Sequence, residues 1–84
     1  MSQVNQPHFH KLLDTQGLYC PEPVMLLHAA IDDVQEGEVV KLIASDPSTA
    51  RDVPKFCQFL GHALELTEQA NGLFYYYIKR KVSP

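Results

Sequence analysis

Between Glu22 and Val34 the apolar residues Val24, Leu27, Ile31 and Val34 recur at helical spacing, while Asp32 and Asp33 face elsewhere. This pattern predicts an amphipathic helix. Pro21 and Pro23 mark its start, because proline fits a first turn whose backbone N–H groups have no intrahelical partner. Gly37 marks its end. The pattern then changes to a short, β-branched, mostly apolar run, Val39-Val40-Lys41-Leu42-Ile43-Ala44, as expected of a central strand, which Asp46-Pro47 breaks. A second helix is predicted from Thr49 to Leu60, with Ala50, Val53, Phe56, Cys57 and Leu60 inward and Arg51, Asp52, Lys55 and Gln58 outward. Pro54 gives that helix two possible beginnings: a start near Asp52, which would cap it, or an opening turn kinked at Pro54.

Strand signals bracket these helices. Phe9 to Asp14 carries Phe9, Leu12 and Leu13 among polar residues and ends at Gln16-Gly17. Near the other end, Ala63 to Glu68 and Leu73 to Lys79 alternate around Asn71-Gly72, a pair suited to the positive φ angles of a type I′ hairpin turn. The order is strand, helix, strand, helix, strand, strand. Right-handed crossovers would place both helices on one face of a four-stranded mixed sheet, an α+β two-layer sandwich of the βαβαββ kind. Eighty-four residues suffice for one domain, expected over 9–84 after a loose tail at 1–8.

Composition narrows the function. With 45% hydrophobic and 20% charged residues the chain should fold. A net charge of −3 argues against holding nucleic acid through its phosphates, so no direct, stable RNA binding is expected. The basic run Lys79-Arg80-Lys81 reads as a solvated strand end. No apolar stretch approaches the roughly 20 residues of a membrane helix, and the polar start lacks the core of a signal peptide, which predicts a cytoplasmic protein without membrane contact. In a reducing compartment Cys20 and Cys57 would both remain thiols.

Cys20 is the candidate reactive residue. It lies between Gly17 and a proline-started helix, outside the apolar periodicity of either neighbour, so packing does not account for it. A helix start stabilises a thiolate through unpaired N–H groups and the positive end of the macrodipole. Pro21 and Pro23 have no N–H, so donors must come from Glu22, Val24 or later residues, and the prolines with Gly17 are expected to stiffen the loop and hold sulfur outward. Glu22 has two readings: it favours the helix start, or its carboxylate raises the thiol pKa. An ordinary turn cysteine is the competing reading of Cys20.

Cys57 falls on the inward stripe of the second helix and reads as core; the alternative, a thiol that resolves a disulfide on Cys20, requires Cα atoms within about 7 Å. His8, His10, His28 and His62 share no zinc-site spacing with the cysteines, so no metal and no cofactor are expected. His28, eight residues after Cys20, is poorly placed as a general base, which suits thiol exchange better than hydrolysis. The run Tyr75-Tyr76-Tyr77 reads as alternating strand packing rather than a stacking platform.

Three segments together resemble the TusA family of sulfur-carrier proteins, also described as SirA-like, from Phe9 to Lys81. They are Leu13-Asp14…Gly17-Leu18-Tyr19-Cys20-Pro21-Glu22-Pro23-Val24, the block Asp46-Pro47…Arg51-Asp52-Val53-Pro54-Lys55-Phe56-Cys57, and the Asn71-Gly72 hairpin. The resemblance implies the βαβαββ fold and a sulfurtransferase role. In that role Cys20 takes sulfur as a persulfide from a cysteine desulfurase and relays it to a downstream carrier, in close relatives toward 2-thiouridine at the tRNA wobble position. Supporting loop residues would be Gly17, Pro21, Glu22 and Pro23, and the carrier is expected to be a monomer. Relatives often place basic residues just before the cysteine and along the first helix, where this chain has Tyr19, His28, Asp32 and Asp33, so donor and acceptor surfaces differ here. Three other functions stay open: a non-catalytic interaction module, a thiol redox protein using both cysteines, and a carrier for sulfur oxidation or molybdenum cofactor assembly.

Overall fold

The computed structural model describes residues 8–83; apart from His8, the expected tail at 1–8 lies outside them. The elements follow in the expected order: β1 (Lys11–Thr15), α1 (Glu22–Asp33), β2 (Val39–Ala44), α2 (Thr49–Leu60), β3 (Ala63–Ala70) and β4 (Leu73–Lys79). The sheet order is β1-β2-β4-β3, with β1 parallel to β2 and the other pairs antiparallel. Both helices pack on one face, which makes the two-layer sandwich that the hydrophobic pattern predicts.

The period of two along the strands sorts residues between the faces. Val40, Leu42 and Ala44 of β2 and Tyr76 and Ile78 of β4 form the core with Leu27, Ala30 and Ile31 of α1 and Val53, Phe56 and Cys57 of α2. Buried polar groups on this side are paired: Thr49 and Tyr76 share a hydroxyl hydrogen bond of 2.9 Å, and the Thr15 hydroxyl donates to the Ile43 carbonyl at 2.8 Å. On the other face Lys41 sits 5.3 to 5.5 Å from the ring centres of Phe9, Tyr75 and Tyr77. The tyrosine run is thus divided between the faces, as strand packing requires.

Several boundaries differ from the pattern. α1 stops at Asp33 with Val34 as its cap, and Gly37, at φ +86°, lies three residues further on in the turn that leads to β2. Arg80 closes the C-terminus of α1 by donating to the carbonyls of Ile31, at 3.3 Å, and Val34. That role replaces the solvated strand end assigned to its basic run. α2 begins at Thr49, upstream of Asp52, and carries Pro54 inside it. Proline withholds the N–H that the Ala50 carbonyl would accept, and Ala50 is exposed rather than inward, where water can replace that bond. Thr49 takes the buried position instead. β3 runs two residues longer than expected, with a bulge between Leu64 and Leu66. Among the described residues no helix is long and apolar enough to cross a membrane.

Candidate functional site

Because β1 and β2 are parallel neighbours, the loops that leave their carboxyl ends lie side by side. Such ends are where open α/β sheets place their sites. One loop, 16–21, carries Cys20; the other, 45–48, opens α2. Gly17, at φ +85°, turns the first loop, and its N–H donates to the Ser45 hydroxyl at 2.8 Å. The Leu18 N–H returns to the Thr15 carbonyl at 3.1 Å, and Glu22 N–H donates to the Tyr19 carbonyl at 2.9 Å. Pro21 follows Cys20 through a cis peptide and stands at the helix N-cap, and Pro23 is buried in the first turn.

Asp46 ties the two loops together. One of its oxygens accepts the Cys20 N–H at 2.7 Å and the Ser48 hydroxyl at 2.8 Å; the other accepts the Ser48 N–H at 3.0 Å. Its backbone carbonyl accepts the Thr49 N–H and hydroxyl, at 3.0 and 2.7 Å. Asp46 rather than Asp52 therefore anchors the start of α2. Hydrogen bonds from Ser48, then from Cys20, hold its carboxyl below the usual range.

Cys20 is exposed, and its side chain faces an open groove lined by Pro21, Val24, Asp52, Lys55 and Phe56. The Asp52 carboxylate lines that groove together with the thiol, and Ser48 binds the Asp46 oxygen that holds the Cys20 N–H. Asp52, expected outward, is half-buried beside it, with one oxygen on Arg51 Nε at 3.1 Å. Arg51 first, and the Cys20 contact second, keep the Asp52 carboxyl below the usual carboxylate range.

This arrangement alters the expected electrostatics. The Glu22 N–H is spent on the Tyr19 carbonyl, and the charged groups that line the groove with the sulfur, Asp52 and Lys55, come from α2 rather than α1. The Cys20 thiol is consequently raised above its ordinary value, first by its hydrogen bond to Asp52, then by partial desolvation and the charge of Asp52; Ser48 opposes this and Asp46 adds to it. A carboxylate does oppose the helix effect, but it comes from Asp52 instead of Glu22, which is exposed on the first turn of α1.

Of the expected supporting residues, Gly17, Pro21 and Pro23 shape the loop as described. Ser45, Asp46, Ser48 and Asp52 are additions: the sequence reading placed Asp46 in a strand break and Asp52 on an outer helix face, and assigned the two serines no place. The signal that could have found them is topological: two adjacent parallel strands bring their following loops together. Cys57 is 3% exposed within the core, and burial pushes its thiol up to about 11. His62 accepts the Lys81 N–H at 2.9 Å, and His10 accepts that of Val39 at 3.0 Å. Among the described residues no three His, Cys, Asp or Glu side chains are grouped so as to hold a metal ion.

A single accessible thiol at the start of the first helix of a βαβαββ sandwich defines a class of small α/β domains with one exposed cysteine, and the comparisons say which. The family model described as Sulfurtransferase TusA matches residues 11–80. The sulfur carrier protein TusA of Pseudomonas syringae is 54% identical over 69 residues, covering 82% of each chain, and that of Pseudomonas aeruginosa is 51% identical over 70, covering 83% of this chain and 89% of the relative. The crystal structure of a SirA-like protein from Desulfitobacterium hafniense superimposes with a TM-score of 0.76 at 23% identity, over 87% of this chain and all of that one, a likeness of fold. The chain belongs to the TusA family of sulfur carriers.

Proposed function

We propose that Cys20 accepts a sulfane sulfur from a cysteine desulfurase, holds it as a persulfide and passes it to a downstream relay protein, in the cytoplasm, for 2-thiouridine formation at the tRNA wobble position. The observation that carries this reading is that Cys20 is the exposed thiol and Cys57 the buried one, which supports transfer through one sulfur. In loading, Cys20 sulfur attacks the outer sulfur of the donor's persulfide, the donor's S–S bond breaks, and the donor cysteine leaves as a thiol. No oxidant is consumed, since the sulfane sulfur keeps its oxidation state.

Two further features support protein partners on either side of this exchange. Tyr19, Met25 and Phe59 are large apolar residues left 70%, 62% and 89% exposed. Lys55 lines both the Cys20 groove and a neighbouring depression formed with Gln58 and Phe59, so apolar surface continues away from the thiol. A chain of net charge −3 gives tRNA phosphates little to hold, which favours delivery through a relay protein.

The test is genetic. Deletion of the gene should lower 2-thiouridine in bulk tRNA, the wild-type gene should restore it, and Cys20→Ser should not. Full restoration by Cys20→Ser would favour the non-catalytic interaction module, and unchanged 2-thiouridine after deletion would direct the sulfur to another pathway.

A further inference from the structure

The groove around Cys20 holds groups of both signs. Asp46 and Asp52 approach from the start of α2, Arg51 pairs with Asp52, Lys55 stands on the next turn, and α1 contributes Pro21 and Val24. Of the two carboxylates, Asp52 lines the groove with the sulfur, while Asp46 holds the Cys20 backbone N–H. The unloaded side chain, Cys20–SH, carries a hydrogen that it can donate to the Asp52 carboxylate. The loaded side chain, Cys20–S–S⁻, has none on its inner sulfur, so the same carboxylate then meets sulfur lone pairs and a nearby anion.

We infer that Asp52 biases the carrier toward giving up its sulfur, because its carboxylate stabilises the empty thiol and opposes the anionic persulfide. The exchange in question is Cys20–SH + R–S–S⁻ giving Cys20–S–S⁻ + R–SH. The bond from Sγ to the sulfane sulfur forms, the donor's S–S bond breaks, and the thiol proton ends on the released donor. Asp52, in the same groove, favours the protonated sulfur of the left-hand state and acts against the anion of the right-hand one. Asp46, which grips the backbone N–H rather than the sulfur, positions the loop in both states. A carrier balanced this way loads when the donor is in excess and discharges readily to an acceptor. This rests on the persulfide reading of Cys20 and adds a direction to it.

The experiment equilibrates the full chain with 2-hydroxyethyl hydropersulfide and its thiol at fixed ratios and reads the loaded fraction by intact mass. Asp52→Asn should shift the loading equilibrium toward persulfide by about twofold to fivefold, the scale of one exposed charge pair. Asp33→Asn, which removes the same charge at the far end of α1, should leave it unmoved. In parallel, the pH profile of Cys20 alkylation should move to lower pH in Asp52→Asn, a shift that a purely structural role for Asp52 would not produce. Asp52→Ser serves if the asparagine variant does not fold. Equal loading of wild type and both Asp52 variants, or an unmoved alkylation profile, overturns the inference while leaving the carrier reading intact. Failure of the wild type to load at any ratio overturns that reading and the inference with it.

Discussion

Cys20 and Cys57 are both thiols held above their ordinary pKa, yet for different reasons and with opposite consequences. Around Cys57 the cause is burial: the side chain is packed in the core and almost no solvent reaches it. Around Cys20 the first cause is a carboxylate hydrogen bond in an open groove. Phe56 divides the two regions, since it lines the groove and also belongs to the core cluster that contains Cys57. The difference teaches that access, rather than acidity, makes Cys20 the usable sulfur. A weakly acidic thiol still exchanges at neutral pH if a partner can reach it, whereas a buried one must wait for unfolding.

The largest expected contrast is kinetic. If Cys57 reacts only through global unfolding, its alkylation by iodoacetamide at pH 8 should be at least about 1,000-fold slower than that of Cys20, given the usual stability of small domains. Peptide mapping with and without 6 M guanidinium checks this, and equal native rates would break the comparison.

Stability separates the two next. Cys57→Ser puts a hydroxyl into an apolar site and should cost about 1 to 3 kcal/mol in urea unfolding, while exposed Cys20→Ser should stay within about 0.5 kcal/mol. Alkaline pH sharpens this further. The folded Cys57 keeps its proton up to about 11 while the unfolded thiol ionises near 9, so its contribution is intact below pH 9 and lost as pH rises toward 11. The wild type should therefore lose about 2 kcal/mol more over that window than Cys57→Ala does, as measured by urea titrations at each pH.

A smaller effect is expected at the clamp. Asp46→Ala removes the acceptor of the Cys20 and Ser48 N–H groups and should cost about 1 kcal/mol, the usual scale for a lost helix-start partner. Amide hydrogen exchange at Cys20 should quicken in this variant while that of Cys57 changes only in proportion to global stability.

Much of this contrast was legible in the sequence. The spacing of Val53, Phe56, Cys57 and Leu60 put Cys57 inward, and the lack of any such pattern around Cys20 put it outside the core. The Asn71-Gly72 turn and the β-branched run at Val39 to Ala44 fixed the sheet equally well, because turn chemistry and strand period are local properties. What stayed hidden depends on neighbours distant in the chain. Asp46 looked like a strand breaker and Asp52 like an outer helix residue, since nothing local says that a loop 26 residues upstream will place a backbone N–H against one carboxylate. Arg80 was hidden for the same reason: its partners, the last carbonyls of α1, lie 46 to 49 residues earlier. Thr49 displaced Ala50 from the core because the Thr49 hydroxyl finds Tyr76, a pairing that spacing alone does not disclose.

The most direct test of the account is intact-mass spectrometry after incubation with a cysteine desulfurase and cysteine. A persulfide adds about 32 Da, one sulfur atom, and is removed by reductant. Wild type and Cys57→Ser should both gain it, with the added sulfur mapping to the peptide that contains Cys20, and Cys20→Ser should gain nothing. An adduct that persists in Cys20→Ser, or that maps to Cys57, would contradict the assignment of Cys20 as the carrying sulfur.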